Sequence, residues 1–118
     1  MKRSEALSQA EFERALSRIK RPGGRVVDLL RAHVRAPGRA LTASLLAKAV
    51  GYPNHSSVNL QYGSLAARIE RAAGRQDLRH VRLFLLVEFV EPKSVTNEQW
   101  LLVMRPAFAA ALEKSGWL

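Results

Sequence analysis

Ser57, Gln61, Ser64, Arg68, Arg71 and Arg75 recur every three or four residues, a spacing that brings them to one face of an α-helix. Hydroxyl, amide and guanidinium groups with no carboxylate among them supply hydrogen-bond donors and positive charge. Those are the groups that read base edges and neutralise phosphates. Asn54 and His55 stand at the entrance to the same stretch, where a polar side chain can meet a base edge or a phosphate; His55 fits equally well as a turn residue. Gln61 and Arg68 are the candidates for base contact. Arg71 and Arg75 lie further from the entrance and suit phosphates.

The element that must hold this face runs from Leu41 to Gly74 and reads as two helices joined by a tight turn. Thr42 is an expected N-cap, Leu41 and Leu46 an expected hydrophobic staple, and Gly51 the left-handed end of a short helix, Ala43 to Val50. Tyr52 and Pro53 forbid immediate continuation, and Ser56 or Ser57 can cap a second helix running to Gly74. Val58, Tyr62, Leu65, Ile69 and Ala73 form its buried stripe. A short helix, a turn and a longer helix are the parts of a helix-turn-helix. The opposing explanation is a merely solvated polar face. Leu60, Gly63 and Ala67 add a small apolar strip on the outer side that reading DNA does not require but packing against another helix would use. Gly63 costs the helix about 1 kcal/mol relative to Ala, which close approach of another backbone would offset.

Composition narrows the partners. The 118 residues suffice for one domain with its own core, and the first seven are expected to be loose. Without cysteine there is no disulfide framework, thiolate zinc site or catalytic thiol. The longest apolar run, Leu83 to Val87, is far too short to span a bilayer, and no apolar signal core opens the chain, so a cytoplasmic protein without a membrane partner is expected. Nineteen Lys and Arg against ten Asp and Glu give a formal +9, which makes a polyanion the default partner. Fourteen of the cations are arginine, the side chain suited to bidentate phosphate and guanine contacts, although a GC-rich genome also produces this bias. Residues 1 to 39 carry ten basic and four acidic side chains, a net +6, so the basic surface is concentrated.

Ser8 and Glu11 form a capping box for a first helix, Gln9 to about Lys20, with Phe12, Ala15, Leu16 and Ile19 inward. Arg14, Arg18 and Arg21 lie on its other side, placed to touch a phosphate backbone. After Pro22, Gly23 and Gly24, the residues Val26, Val27, Leu30 and Val34 mark a second helix that ends before Ala36. Val81 to Val90 is dense in β-branched and aromatic residues and predicts a strand with an apolar second face; Gln99 to Met104 predicts its antiparallel partner. The loop between them resembles a wing and carries Lys93. Pro106 opens a closing helix with Phe108, Ala111 and Leu112 inward, ended by Gly116, and the C-terminus is expected to pack. Tyr62 is expected as a core aromatic with its hydroxyl at the surface, and Trp100 as core. No phosphate-cradling loop, metal-ligand spacing or nucleophile with a recognisable base is present, so neither an enzyme nor a cofactor is expected.

The segments LTASLLAKAVGY and NLQYGSLAARI resemble a group of little-characterised bacterial proteins with the pattern LTA..LA.A.GY......NL.YG.LA, and the likeness extends through WLLVMRPAFAAALEKSGWL to cover most residues from 41 on. The resemblance implies a bacterial helix-turn-helix or winged-helix module. Some members of the group sit beside an HNH nuclease domain or occur with mobile and defence elements, which implies a DNA-targeting role. His33, His55 and His80 are isolated here, so nuclease chemistry is not carried over, and no site residues are.

The expectation is a mostly α protein with a small antiparallel β-hairpin, a single winged helix-turn-helix domain over 1 to 118. It would bind double-stranded DNA with the helix in the major groove and the hairpin tip beside the backbone. The alternative is a small protein-binding module, a phage or defence factor or a homodimer, that uses the same long helix.

Overall fold

Helix boundaries fall where a side chain or a turn can satisfy the terminal backbone groups that a helix leaves unpaired. In the computed structural model, which describes residues 7–75, 82–91 and 100–118, Ser8 and Glu11 form the reciprocal capping box of α1 (Gln9–Arg18). Helix α2 spans Gly24–Arg35, and Thr42 caps α3 (Ala43–Val50) by accepting from the Leu45 N–H at 3.2 Å. Gly51 ends α3 at φ 79°, and Gly74 ends α4 (His55–Ala73) at φ 68°, a region where a side chain would strain the backbone. Pro106 opens α5 (Pro106–Ser115).

Two boundaries differ from expectation. The cap of α4 is Asn54, not Ser56 or Ser57: its Oδ1 accepts from the Ser56 N–H at 2.9 Å, so the helix starts at His55. Helix α1 stops at Arg18, and Ile19 turns to extended backbone before Lys20.

The apolar run from Val81 is not one strand. Leu85, Leu86 and Val87 are all buried, which a period-two strand with one covered face cannot achieve. The chain instead makes a 3₁₀ turn over Arg82–Leu85 and only then enters β2 (Val87–Val90). Strand β2 pairs antiparallel with β3 (Leu101–Met104), Phe89 opposite Leu102. A third strand, β1 (Ala40–Thr42), pairs antiparallel with the other edge of β3, with Leu41 opposite Leu102. The architecture is thus α+β: five helices and a three-stranded antiparallel sheet of order β1-β3-β2 among the described residues.

The inward stripes meet in one core. Phe12 of α1 packs its ring 5.1 Å from that of Phe108 on α5, and Val58, Tyr62, Leu65, Ala66 and Ile69 of α4 run beneath α1 and α3. On α2 the buried set is Val27, Leu29, Leu30 and His33, with Val26 and Val34 only partly covered. Trp117 is buried, so the C-terminal residues pack as expected.

His33 explains its own burial. Its Nε2 lies 2.8 Å from the Leu102 carbonyl and its Nδ1 2.7 Å from the Tyr62 hydroxyl. A carbonyl only accepts, so Nε2 carries the proton and donates, and Nδ1 accepts from the Tyr62 O–H. Burial holds the imidazole below its ordinary 6.5, in keeping with this neutral form. The Tyr62 hydroxyl therefore does not reach the surface as expected; the whole side chain is buried, and one polar chain ties α2, α4 and β3 together.

Candidate nucleic-acid interface

Helix α4 presents two chemically different ends. At its C-terminal end Arg68 and Arg75 are engaged within the chain, while Arg71 between them stays exposed. Arg18 of α1 donates to the Ala72 carbonyl at 3.1 Å, and Arg68 of α4 donates in return to the Lys20 carbonyl at 2.7 Å. Arg75 pairs with Glu11 at 2.6 Å, with both side chains about one-fifth exposed. The Ser8 backbone N–H, and with it the Arg75 guanidinium, hold the Glu11 carboxyl below the usual carboxylate value. The polar face is therefore not free of carboxylates in three dimensions. Arg68, expected to meet a base, and Arg18 and Arg75, expected to meet phosphates, are clamps between α1 and α4.

The same fate befalls other cations. Arg21 grips the Trp117 carbonyl through Nε and Nη2 at 3.1 and 2.6 Å, and the Arg25 guanidinium lies 5.6 Å from the Tyr52 ring centre. Arg31 pairs with Asp28 one turn earlier. A carbonyl takes a hydrogen bond without cancelling charge, so Arg18, Arg21 and Arg68 still contribute to the positive field although their donors are partly used.

The remaining candidates distribute as follows. Arg14 and Arg71 are exposed, as are Lys20 and Lys48. On α4, Asn54, His55 and Ser64 are exposed, whereas Ser57 and Gln61 are partly covered. The outermost line of the helix is Ser56, Leu60, Ser64, Ala67 and Arg71, with Leu60 69% exposed. A Cβ on Gly63 would meet nothing within 4 Å, so the expected close approach of another backbone is not found among the described residues. Lys93 and the hairpin tip lie outside the described residues.

At the N-terminal end of α4 the helix borders an open groove of about 500 Å³. His55 and Asn59 of α4, Phe84 of the 3₁₀ turn, Phe89 of β2 and Trp100 beside β3 line it, over a floor that includes Leu102. Trp100, expected in the core, is 47% exposed and Phe84 43% exposed. The cause lies in the sheet: Val87, Phe89 and Leu102 share a face that covers the core at Val87 and Leu102 but runs past it at Phe89, which is only partly covered. Asn59 Oδ1 is withdrawn from solvent and has no hydrogen-bond partner among the described residues.

Asn59, Phe84, Phe89 and Trp100 were not legible as site residues in the sequence. The one available signal was the apolar second face of the strand around Phe89, more apolar than a two-strand hairpin can bury.

No family model, curated protein or solved structure matches the chain. No helix among the described residues is long and apolar enough to cross a membrane.

Proposed function

We propose that the protein is a non-catalytic DNA-binding protein of winged-helix type, with α3 and α4 as its helix-turn-helix and the β2–β3 hairpin as its wing. The observation that carries this reading is a formal charge of +9 on a chain in which α3 leads through a tight turn into a 19-residue helix. Exposed Arg71 and Ser64 and partly covered Gln61 supply the outer contacts, and Arg14 of α1 and Lys48 of α3 are exposed cations that add to the positive field. A role in a mobile-element or defence system belongs to the same proposal.

Titration of a mixed-sequence duplex at about 50 and 200 mM salt tests it. Neutralising six phosphates would lower the affinity about a thousandfold between those conditions, and Arg71→Ala would flatten the log–log salt slope by about one. Gln61→Ala would weaken binding with little change in slope. Absence of duplex binding at the lower salt would overturn the proposal.

A second reading has one specific observation behind it. Leu60 of α4 and Leu45 of α3 are 69% and 52% exposed, which suits a protein partner or a second copy of the chain.

A further inference from the structure

The groove at the start of α4 offers a chemistry that major-groove docking of a helix does not use. Its walls are aromatic: the rings of Phe84 and Phe89 lie 4.9 Å apart at 41°, and Trp100 stands partly open beside them. The walls are also held in place. Arg105 donates from Nε to the Phe84 carbonyl at 3.0 Å and from Nη1 to Glu88 at 3.1 Å, which fastens the 3₁₀ turn to β2. The volume of about 500 Å³ falls among preformed small-molecule sites, which span about 300 to 1,000 Å³.

Two polar side chains interrupt this apolar surface. Asn59 brings an amide whose Oδ1 lacks a partner among the described residues, and a turn about its soft terminal torsion presents either oxygen or NH₂ to an occupant. His55, the first residue of α4, brings an exposed imidazole at the positive end of a 19-residue helix. The described lining contains no carboxylate. An aliphatic side chain would fill the groove but offer the Asn59 amide no hydrogen bond. A flat heteroaromatic ring with a hydrogen-bonding edge, attached to an anion, matches the walls, the amide and the helix end together. The +9 charge draws polyanions to the surface on which such a ring would be carried.

We infer that this groove holds an unpaired nucleobase of a single-stranded nucleic-acid segment, stacked against Trp100 and the Phe84–Phe89 pair with its edge on Asn59 and its phosphate near His55. This goes beyond the duplex reading and does not depend on it.

The test compares a labelled single strand of about twelve nucleotides with a duplex of the same sequence, by anisotropy and by tryptophan emission. Trp117 is buried, so Trp100 is the indole open to a ligand. The single strand should quench that emission, and Trp100→Ala should weaken it about five- to hundredfold, the range for loss of one base stacked on an aromatic ring, while duplex affinity stays within about twofold. Trp100→Phe, which keeps a ring, should retain most of the single-strand affinity, and a melting curve for each variant separates misfolding from lost contact. Asn59→Ala should weaken the single strand and leave the duplex unchanged.

Single-strand binding that is indifferent to Trp100→Ala and Asn59→Ala overturns the inference, as does the absence of single-strand binding; the groove would then belong to a side chain of a protein partner. Trp100-dependent binding of the single strand without duplex binding supports it while overturning the duplex proposal.

Discussion

The two ends of α4 carry different residues and put them to opposite uses. At the C-terminal end, Arg68 and Arg75 are spent on Lys20 and Glu11, and Arg18 closes on Ala72. At the N-terminal end, Asn54 caps the helix, while His55, Asn59 and the aromatic residues around them face an open groove. An arginine at helical spacing is thus not by itself a ligand-binding arginine. Its long side chain reaches the carbonyls left unpaired at a neighbouring helix end, and two helix ends side by side attract it there.

The middle of the helix joins the two ends, and breaking it should have the largest effect. Tyr62→Phe leaves His33 Nδ1 buried without its donor and should cost about 1–3 kcal/mol of unfolding free energy, read by denaturant titration. The same imidazole sets an acid limit. Because burial lowers its folded value beneath 6.5, the unfolded chain takes up a proton that the folded chain refuses. His33 therefore contributes its full stability above pH 6.5, and that contribution declines as the pH falls from there towards the folded value. Tyr62→Phe variants measured across this window should show a changed slope, whereas a slope matching that of the wild type would mean that other groups control it.

The contrast between engaged and exposed cations is sharpened by a pair of substitutions. Arg75→Ala should lose about 1 kcal/mol of stability, because it breaks a partly buried ion pair, and change duplex affinity little. Arg71→Ala should do the reverse, with melting unchanged and weaker duplex binding. Equal effects of the two on DNA would erase the distinction between engaged and exposed cations.

Gly63→Ala is the smallest expected change and the only stabilising one. With open space around the site, the added methyl group should raise stability by about 0.5–1 kcal/mol through helix propensity. Any loss of function in that stabilised variant would mark the outer face of α4 as a contact surface.

Local signals carried far. Ser8 with Glu11, Thr42 and Gly51 each place a helix boundary through hydrogen bonds within a few residues, Pro106 does so through its fixed φ and missing N–H, and the stripes at Phe12 and Val58 name their buried sides because period 3.6 leaves one face to cover. The side chain of His33 was hidden within the stripe of α2, since nothing local announces a carbonyl from β3 and a hydroxyl from α4 as its partners.

The amino-acid sequence by itself determined the helices, most of their caps, the β2–β3 pairing and the excess of positive charge, because these depend on near neighbours and on counting. Tertiary structure alone decided that Ala40–Thr42 becomes a strand on the far edge of β3, that Arg68 and Arg75 turn inward to α1, and that Trp100 stands open beside Phe84 and Phe89. A three-residue strand has too few positions to show a period. A long side chain chooses its partner only once distant backbone carbonyls and carboxylates arrive beside it, and an aromatic ring stays exposed wherever the core ends before the strand does.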